Sequence, residues 1–307
     1  MGTIEVEAGS GRNAVGFHVR KESVMVVVNT AKNRARDKYT FANINLLGKC
    51  NVDCFFCLGK DIEEILCKQN QLKLHFSEWP RFDEFLSMCA KEGIQNIYLT
   101  GQNTDPLIYQ WLEELVHHIQ EAGFCCGVRT NGFLALKEGN IKALQAMSEE
   151  VGYSIHTLNP ITQKMILGRA DVPDWRTILN IPGIRKVRVS MVLNRCNESE
   201  FFELLRFLSE FKQVRYIQVR RISTDTREQL LMPDMAAFER VYTKVREVFP
   251  LVRRFVTDAE EYEIYGKKVD FWRTVKTSAN SLNYFTDGTI SDLYFIIEGY
   301  LKYHKEQ

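Results

Sequence analysis

Between residue 41 and about residue 225 the chain alternates strand-like and helix-like segments at the roughly 30-residue spacing of βα units, and nothing else restricts its fold as much. Six runs read as strands: "FANINLL" (41 to 47), "IQNIYLTG" (94 to 101), "CCGVRTNG" (125 to 132), "VGYSIH" (151 to 156), "VRVSMVLN" (187 to 194) and "VRYIQVRRI" (214 to 222). Segments of helical periodicity follow them, for example "PLIYQWLEELVHHIQEAG" and "ESEFFELLRFLSEF". Six βα units imply a parallel sheet.

Strands covered by helices on both faces read as apolar runs. Here one alternate set is polar in strand after strand: Asn43 and Asn45; Asn96, Tyr98 and Thr100; Ser154 and His156; Arg188, Ser190 and Asn194; Gln218 and Arg220. A curved sheet with helices outside and a wet concave face produces this pattern, so the expected fold is α/β, a partial (β/α)6 TIM-like barrel. The alternative is that these residues only mark frayed strand ends.

The flanks differ from the barrel. Residues 1 to 40 hold "VGFHV" and "VMVVVN" joined by the polar "RKES", which reads as an N-terminal β-hairpin extension. Residues 226 to 307 combine a helical stretch, "MAAFERVYTKVREVF", with "LNYFTDGTISDLYFI", where Asp287-Gly288 signals a hairpin, and read as an α+β C-terminal cap. The barrel is then residues 41 to 225. With 307 residues and 45% hydrophobic content, the chain can bury a full core.

Lys and Arg number 40 against 39 Asp and Glu, so no global field would hold the protein on nucleic acid or an anionic membrane, and any basic site is local. The basic run "KNRARDK" (32 to 38) reads as a solvated charged segment, or as a contact for an RNA or peptide. The first residues lack a signal-peptide pattern, and "VMVVVN" is far shorter than the about 20 apolar residues a bilayer needs. A cytoplasmic protein without a membrane partner is expected, and in a reducing compartment its eight cysteines are free thiols or metal ligands.

Three of those cysteines, Cys50, Cys54 and Cys57, lie in "LGKCNVDCFFCLGK" (47 to 60), directly after the first strand and at the rim where parallel α/β folds keep their active sites. A structural zinc ion wants four ligands, commonly as two separated pairs. An iron-sulfur cluster instead takes three thiolates and leaves one iron for a small molecule. Unligated core thiols fit poorly with the polar neighbours Gly48, Lys49, Asn51 and Asp53. Cys125 and Cys126 are adjacent and face opposite sides of a strand. Cys126 and Cys196 read either as hydrogen-atom donors or as small buried hydrophobes. On the polar face, Arg188 and Arg220 suit phosphate or carboxylate, with a structural ion pair as the alternative for each. His156 and Tyr98 are candidate proton donors or ligands, and no glycine-rich phosphate motif occurs.

The spacing Cys50, Cys54, Phe56, Cys57, a C-x3-C-x-aromatic-C motif after the first barrel strand, resembles the signature of radical S-adenosylmethionine enzymes. The resemblance implies a [4Fe-4S] cluster on the three cysteines, S-adenosylmethionine on the unique iron, Phe56 near the adenine, and an external one-electron reductant of flavodoxin or ferredoxin type. It implies reductive cleavage to a 5'-deoxyadenosyl radical, hydrogen abstraction from a substrate, and sensitivity to oxygen. "TGQNTDP" (100 to 106) stands where the family has Gly-Gly-Glu-Pro; Gly101 and Pro106 match, the glutamate is missing, and Gln102, Asn103, Thr104 and Asp105 become the cofactor-contact candidates. "RTNGFLA" (129 to 135) is similar to the family's third-strand Thr-Asn-Gly. "SIHTLNPITQKMILGRADVPDWRTIL" (154 to 179) and "VRVSMVLNRCNESEFFELLRF" (187 to 207) resemble the fourth and fifth strand regions of the GTP cyclases of molybdenum-cofactor synthesis, making Ser154 a cofactor contact and Asn194 a ribose contact. The resemblance covers about residues 41 to 225. Those cyclases carry C-terminal cysteines for an auxiliary cluster, whereas this chain has none after Cys196. The implied activity is radical chemistry on a small, anionic, phosphorylated or nucleotide-like substrate. A peptide side chain or an RNA base is the alternative target, and a non-catalytic metal-binding regulatory protein is the third reading.

Overall fold

The computed structural model describes residues 39 to 223, 227 to 255, 259 to 273 and 281 to 293. The hairpin expected over residues 1 to 40 and the run 32 to 38 fall outside the described residues. All six expected strands are present: β1 (Phe41–Leu47), β2 (Asn96–Gln102), β3 (Cys125–Thr130), β4 (Val151–Ser154), β5 (Val187–Val192) and β6 (Val214–Arg220). They pair parallel in chain order. Between them run α1 (Glu63–Lys68), α2 (Phe82–Lys91), α3 (Leu112–Glu121), α4 (Glu138–Ala146), α5 (Pro160–Leu167), α6 (Trp175–Ile178) and α7 (Phe201–Ser209). The longer helices carry apolar side chains at i, i+3, i+4 and i+7, as in Phe82, Phe85, Leu86 and Cys89 of α2 and Leu112, Leu115, Val116 and Ile119 of α3. Those faces share one core with the apolar alternates of the strands, including Ile44, Leu99, Val128, Val189 and Ile217, all fully buried.

The segment after residue 226 is α+β, and its strands belong to the same sheet. Helix α8 (Glu228–Val248) leads into β7 (Leu251–Arg254), β8 (Glu260–Ile264) and β9 (Lys267–Trp272), an antiparallel meander whose last strand pairs parallel with β6. β10 (Ser281–Phe285) pairs parallel with β1 and antiparallel with β11 (Ile290–Ser291). The expected hairpin at Asp287-Gly288 is therefore present, its turn held by Thr289 N–H on Asp287 Oδ1 at 3.0 Å. Strand order is β11-β10-β1-β2-β3-β4-β5-β6-β9-β8-β7, so among the described residues the barrel is partial.

Buried polar groups on β1 explain why β10 docks there. Asn43 Nδ2 donates to Asn283 Oδ1 at 2.8 Å, Asn45 Nδ2 to the Tyr284 carbonyl at 3.2 Å, and the Leu47 amide to Thr286 Oγ1 at 3.1 Å. Without that neighbour these donors would be buried and unpaired. The polar set of β2, β4, β5 and β6 faces one side of the sheet, where Thr100, Ser154, Arg188, Ser190 and Arg220 line a common cavity of about 640 Å3.

Candidate functional site

The cysteine loop follows β1 and is held by the C-terminal end of α5. The last carbonyls of a helix have no partner within it; here those of Ile166 and Leu167 accept from the amides of Phe55, at 3.2 Å, and Asp53, at 2.9 Å. From the other side Arg227 donates to the Phe55 and Cys57 carbonyls, at 2.6 Å each, and pairs with the buried Asp61. Cys50, Cys54 and Cys57 all line the cavity, whereas Cys67 lies on α1 outside its lining.

Burial raises all three thiols. Cys50 is pushed up to about 12, first by burial and then by the Asp105 carboxylate. Burial and the neighbouring Cys57 and Cys50 sulfurs hold Cys54 well above its usual range, and Cys57 is raised by burial against the opposing amides of Gly59 and Lys60. Three such thiols resist joint ionisation unless a positive centre binds them, which is the donor set that a cluster requires. Among the described residues no three donors converge tightly enough for a single metal ion. Thiolates bound to different irons of one cluster need no such convergence, so the residues fit a [4Fe-4S] centre.

The loop after β2 packs against the cysteine loop. A Cβ on Gly101 would lie 2.0 Å from the Thr104 carbonyl oxygen, so the turn closes only around glycine. Thr104 Oγ1 donates to the Lys49 carbonyl at 3.1 Å, and Asn103 Nδ2 reaches the Gly48 carbonyl at 3.4 Å. Asp105 is buried; it accepts from Thr130 Oγ1 at 2.8 Å, the Asn131 amide at 2.7 Å and the Leu107 amide at 3.0 Å. Burial pushes its carboxyl up to about 6 against those bonds. Asn131, in turn, holds Asn51 Oδ1 at 2.7 Å and approaches Cys50 Sγ at 3.7 Å. Gly101, Asn103, Thr104 and Asp105 thus line the cavity, and the carboxylate of Asp105 braces the loop.

The other expected contacts divide. Phe56, Ser154, His156, Arg188 and Arg220 line the same cavity. Gln102, Asn194 and Tyr98 do not. Gln102 turns away to donate to Asn45 Oδ1 at 2.9 Å. Asn194 is fully buried, with its amide bonded to the Val192 carbonyl at 3.1 Å and the Cys196 N–H at 2.9 Å, so both ends of the side chain shape the turn after β5. Tyr98 stacks edge-on against Phe41 at 5.9 Å, with its hydroxyl pushed up to about 12 by burial. Arg188 pairs with Glu150 at 3.4 Å and Arg220 donates to Gln218 at 2.7 Å.

Sequence reasoning missed Arg129. Its guanidinium stands 5.0 Å from the Tyr98 ring centre and lines the cavity. Its Nε is buried, and among the described residues it meets no hydrogen-bond acceptor and the side chain forms no ion pair. Gly152 pairs with both Arg129 and Arg188, and a Cβ there would sit 2.9 Å from Arg188 Nη2, so the glycine makes room for the guanidinium. The signal was the strand alternation itself, since Arg129 lies two residues beyond Gly127, which pairs with Tyr98 of the polar set.

His156 is 5% exposed, its Nδ1 accepts from the Val192 amide at 3.1 Å, and its ring meets Phe56 edge-on at 5.2 Å. The neutral ring therefore carries its proton on Nε2. Burial depresses its pKa to about 4, so between that value and about 6.5 the unfolded chain binds a proton that the folded chain refuses. His156 thus costs stability as pH falls through that window. Against a His156→Gln variant, wild type is expected to lose about 3 kcal/mol more between pH 7 and pH 4, read by denaturant titration at each pH. Parallel curves would contradict the buried neutral ring.

No protein-family model matches the chain. It is 28% identical over 172 residues, 54% of its length, to the probable GTP 3',8-cyclase of Sulfolobus acidocaldarius, and spans 51% of that relative. It is 25% identical to the probable GTP 3',8-cyclase of Methanothermobacter thermautotrophicus, across 75% of this chain and 74% of the relative. An S-adenosylmethionine-dependent nucleotide dehydratase of a Thermoplasmatales archaeon is 24% identical over 43% of the chain and 43% of its own length. In fold the chain is similar to Streptococcus suis SuiB bound to S-adenosylmethionine, at a TM-score of 0.59 and 13% identity, across 85% of this chain and 61% of that one. The resemblance drawn from the cysteine loop is borne out, as is the α/β fold class. No described helix is long and apolar enough to cross a membrane.

Proposed function

We propose that this chain is a radical S-adenosylmethionine enzyme that holds its [4Fe-4S] cluster on Cys50, Cys54 and Cys57 and acts on a small anionic substrate of nucleotide type. One observation carries the reading: a single cavity of about 640 Å3 has the three-thiol loop on its rim and Arg129, Arg188 and Arg220 on its strands. The names of the relatives, GTP 3',8-cyclase and nucleotide dehydratase, point to the same substrate class.

Held at the cysteine loop, a cluster with S-adenosylmethionine would supply one-electron chemistry directed at a substrate C–H bond. The protein's own task is to hold that bond in place and keep water out. Planar guanidinium groups on rigid strands bind phosphate oxygens in fixed directions, and Arg129 offers one that no carboxylate among the described residues engages. Phe56 and His156 pack edge to face beside the cysteine loop, giving an apolar wall and one neutral N–H donor. An external one-electron reductant of flavodoxin or ferredoxin type completes the system.

Protein purified without oxygen, reconstituted with iron and sulfide and reduced, is expected to form 5'-deoxyadenosine from S-adenosylmethionine. Formation should rise when a nucleoside triphosphate is added. A fully loaded, reducible cluster that makes no 5'-deoxyadenosine with or without nucleotides would overturn the proposal.

A further inference from the structure

A second cavity, of about 550 Å3, adjoins the first along β6. Arg220 lines the first cavity and Gln218 the second, and the two side chains are bonded, Arg220 Nε and Nη2 donating to Gln218 Oε1 at 2.9 and 2.7 Å. Asp270 and Trp272 of β9, Glu261 of β8, and Arg253 and Phe255 are also among its lining residues.

The chemistry of this wall is unfinished. Asp270 is 5% exposed and Glu261 4% exposed. Burial, and after it the nearby Glu261 carboxylate, push Asp270 up to about 7. Arg253 Nη2 donates to Glu261 Oε2 at 3.1 Å. Asp270 Oδ1 is nevertheless buried without a partner among the described residues, and so are the indole Nε1–H of Trp272 and the Nε–H of Arg253. Residues 270 and 272 lie on the same face of β9, so an unpartnered acceptor and an unpartnered donor line one wall of the cavity. Buried polar atoms are nearly always paired, and an unpaired acceptor and donor lining one cavity call for a ligand that brings both partners. Flat surfaces flank them: the Phe255 and Trp272 rings are 6.1 Å apart and tilted by 31°, and Arg253 stacks on Phe255 at 4.1 Å.

We propose that the second cavity is the base-recognition subsite for the nucleotide of the proposed reaction, a reading on which this inference rests. A nucleobase is a planar ring whose edge carries an N–H donor and a ring-nitrogen or carbonyl acceptor within one bond of each other. Its donor meets Asp270 Oδ1, its acceptor meets Trp272 Nε1–H, and Phe255 and Trp272 border its plane. The phosphates then extend past Gln218 and Arg220 into the arginine-lined first cavity. Seen from the glycosidic bond, the donor is the outer group in adenine and cytosine and the inner one in guanine and uracil, so with the phosphates held in the first cavity a fixed acceptor and donor favour one of these two pairs of bases over the other.

Titration calorimetry of the reconstituted protein under anaerobic conditions, with ATP, GTP, CTP, UTP and base-free ribose 5-phosphate as probes, tests this. In wild type the best nucleotide should bind at least about tenfold tighter than the worst, a difference expected from one or two well-made hydrogen bonds. Trp272→Phe keeps the ring and removes the donor; Asp270→Ala removes the acceptor. Either should collapse that spread to about twofold, within the context-dependence of such contacts. Asp270→Asn should preserve it, because the amide keeps an acceptor oxygen at that position. Four nucleotides that bind alike in wild type, or an Asn variant as indiscriminate as the Ala variant, would overturn the subsite while leaving the nucleotide reading intact. Failure of every phosphorylated probe to bind would instead overturn the nucleotide reading itself.

Discussion

Cys54→Ala is expected to yield a folded protein that takes up no stable cluster after reconstitution, while Cys67→Ala loads like wild type. The contrast rests on position. Cys54 lines the cavity between two other thiols that perturb its ionisation, whereas Cys67 sits on α1, outside that lining. Three thiolates are the minimum that hold a [4Fe-4S] centre with one iron left for a small molecule, so removing one leaves an incompletely ligated centre. Loss of a supporting group around a metal site costs about 10 to 100-fold in affinity or activity, and loss of a ligand should exceed that. Iron and sulfide content, the visible absorbance of the cluster and 5'-deoxyadenosine formation read the effect together. Equal loss in both variants would assign the cluster to a different set of thiols.

Most of the barrel was legible because its information is local. Alternation of apolar and polar residues located all six central strands within two residues at each end, and it identified the face that became the cavity. The cysteine loop was legible for the same reason, since its three cysteines lie within eight positions. The docking of β10 on β1 was not, because the Asn43–Asn283 bond joins residues 240 positions apart and neither segment alone specifies its neighbour. β9 joins β6 across an intervening helix and two strands, so the lateral extension that builds the second cavity was equally hidden. Side-chain direction set the remaining differences. Gln102 and Asn194 sit in segments that resemble cofactor contacts, yet backbone groups and Asn45 take their amides.

Electrostatics also separates two arginines that composition treats alike. Arg188 is 6% exposed and faces Glu150 at 3.4 Å, with Tyr216 OH reaching the same carboxylate at 3.4 Å. Removing Arg188 would leave the partly buried Glu150 carboxylate with only the Tyr216 hydroxyl. Arg129 leaves none behind among the described residues, because it pairs with no carboxylate there and its guanidinium lies over the Tyr98 and Phe41 rings.

Substituting methionine for each arginine, which keeps the length of the stem, is therefore expected to give opposite results. Arg129→Met should unfold near the wild-type midpoint and load its cluster normally, yet raise KM for the phosphorylated substrate by about 30 to 150-fold, the worth of a charge-assisted hydrogen bond of 2 to 3 kcal/mol. Arg188→Met should lose about 1 to 3 kcal/mol of stability, as expected when a partly buried carboxylate loses one of its partners. Added salt should weaken substrate binding in wild type more than in Arg129→Met, because the variant has already lost one of the charges that salt screens. The split between KM and stability is the diagnostic. A destabilised Arg129→Met with unchanged KM would make Arg129 a brace for the Tyr98 and Phe41 rings, and the anion would have to be bound by Arg188 and Arg220 alone.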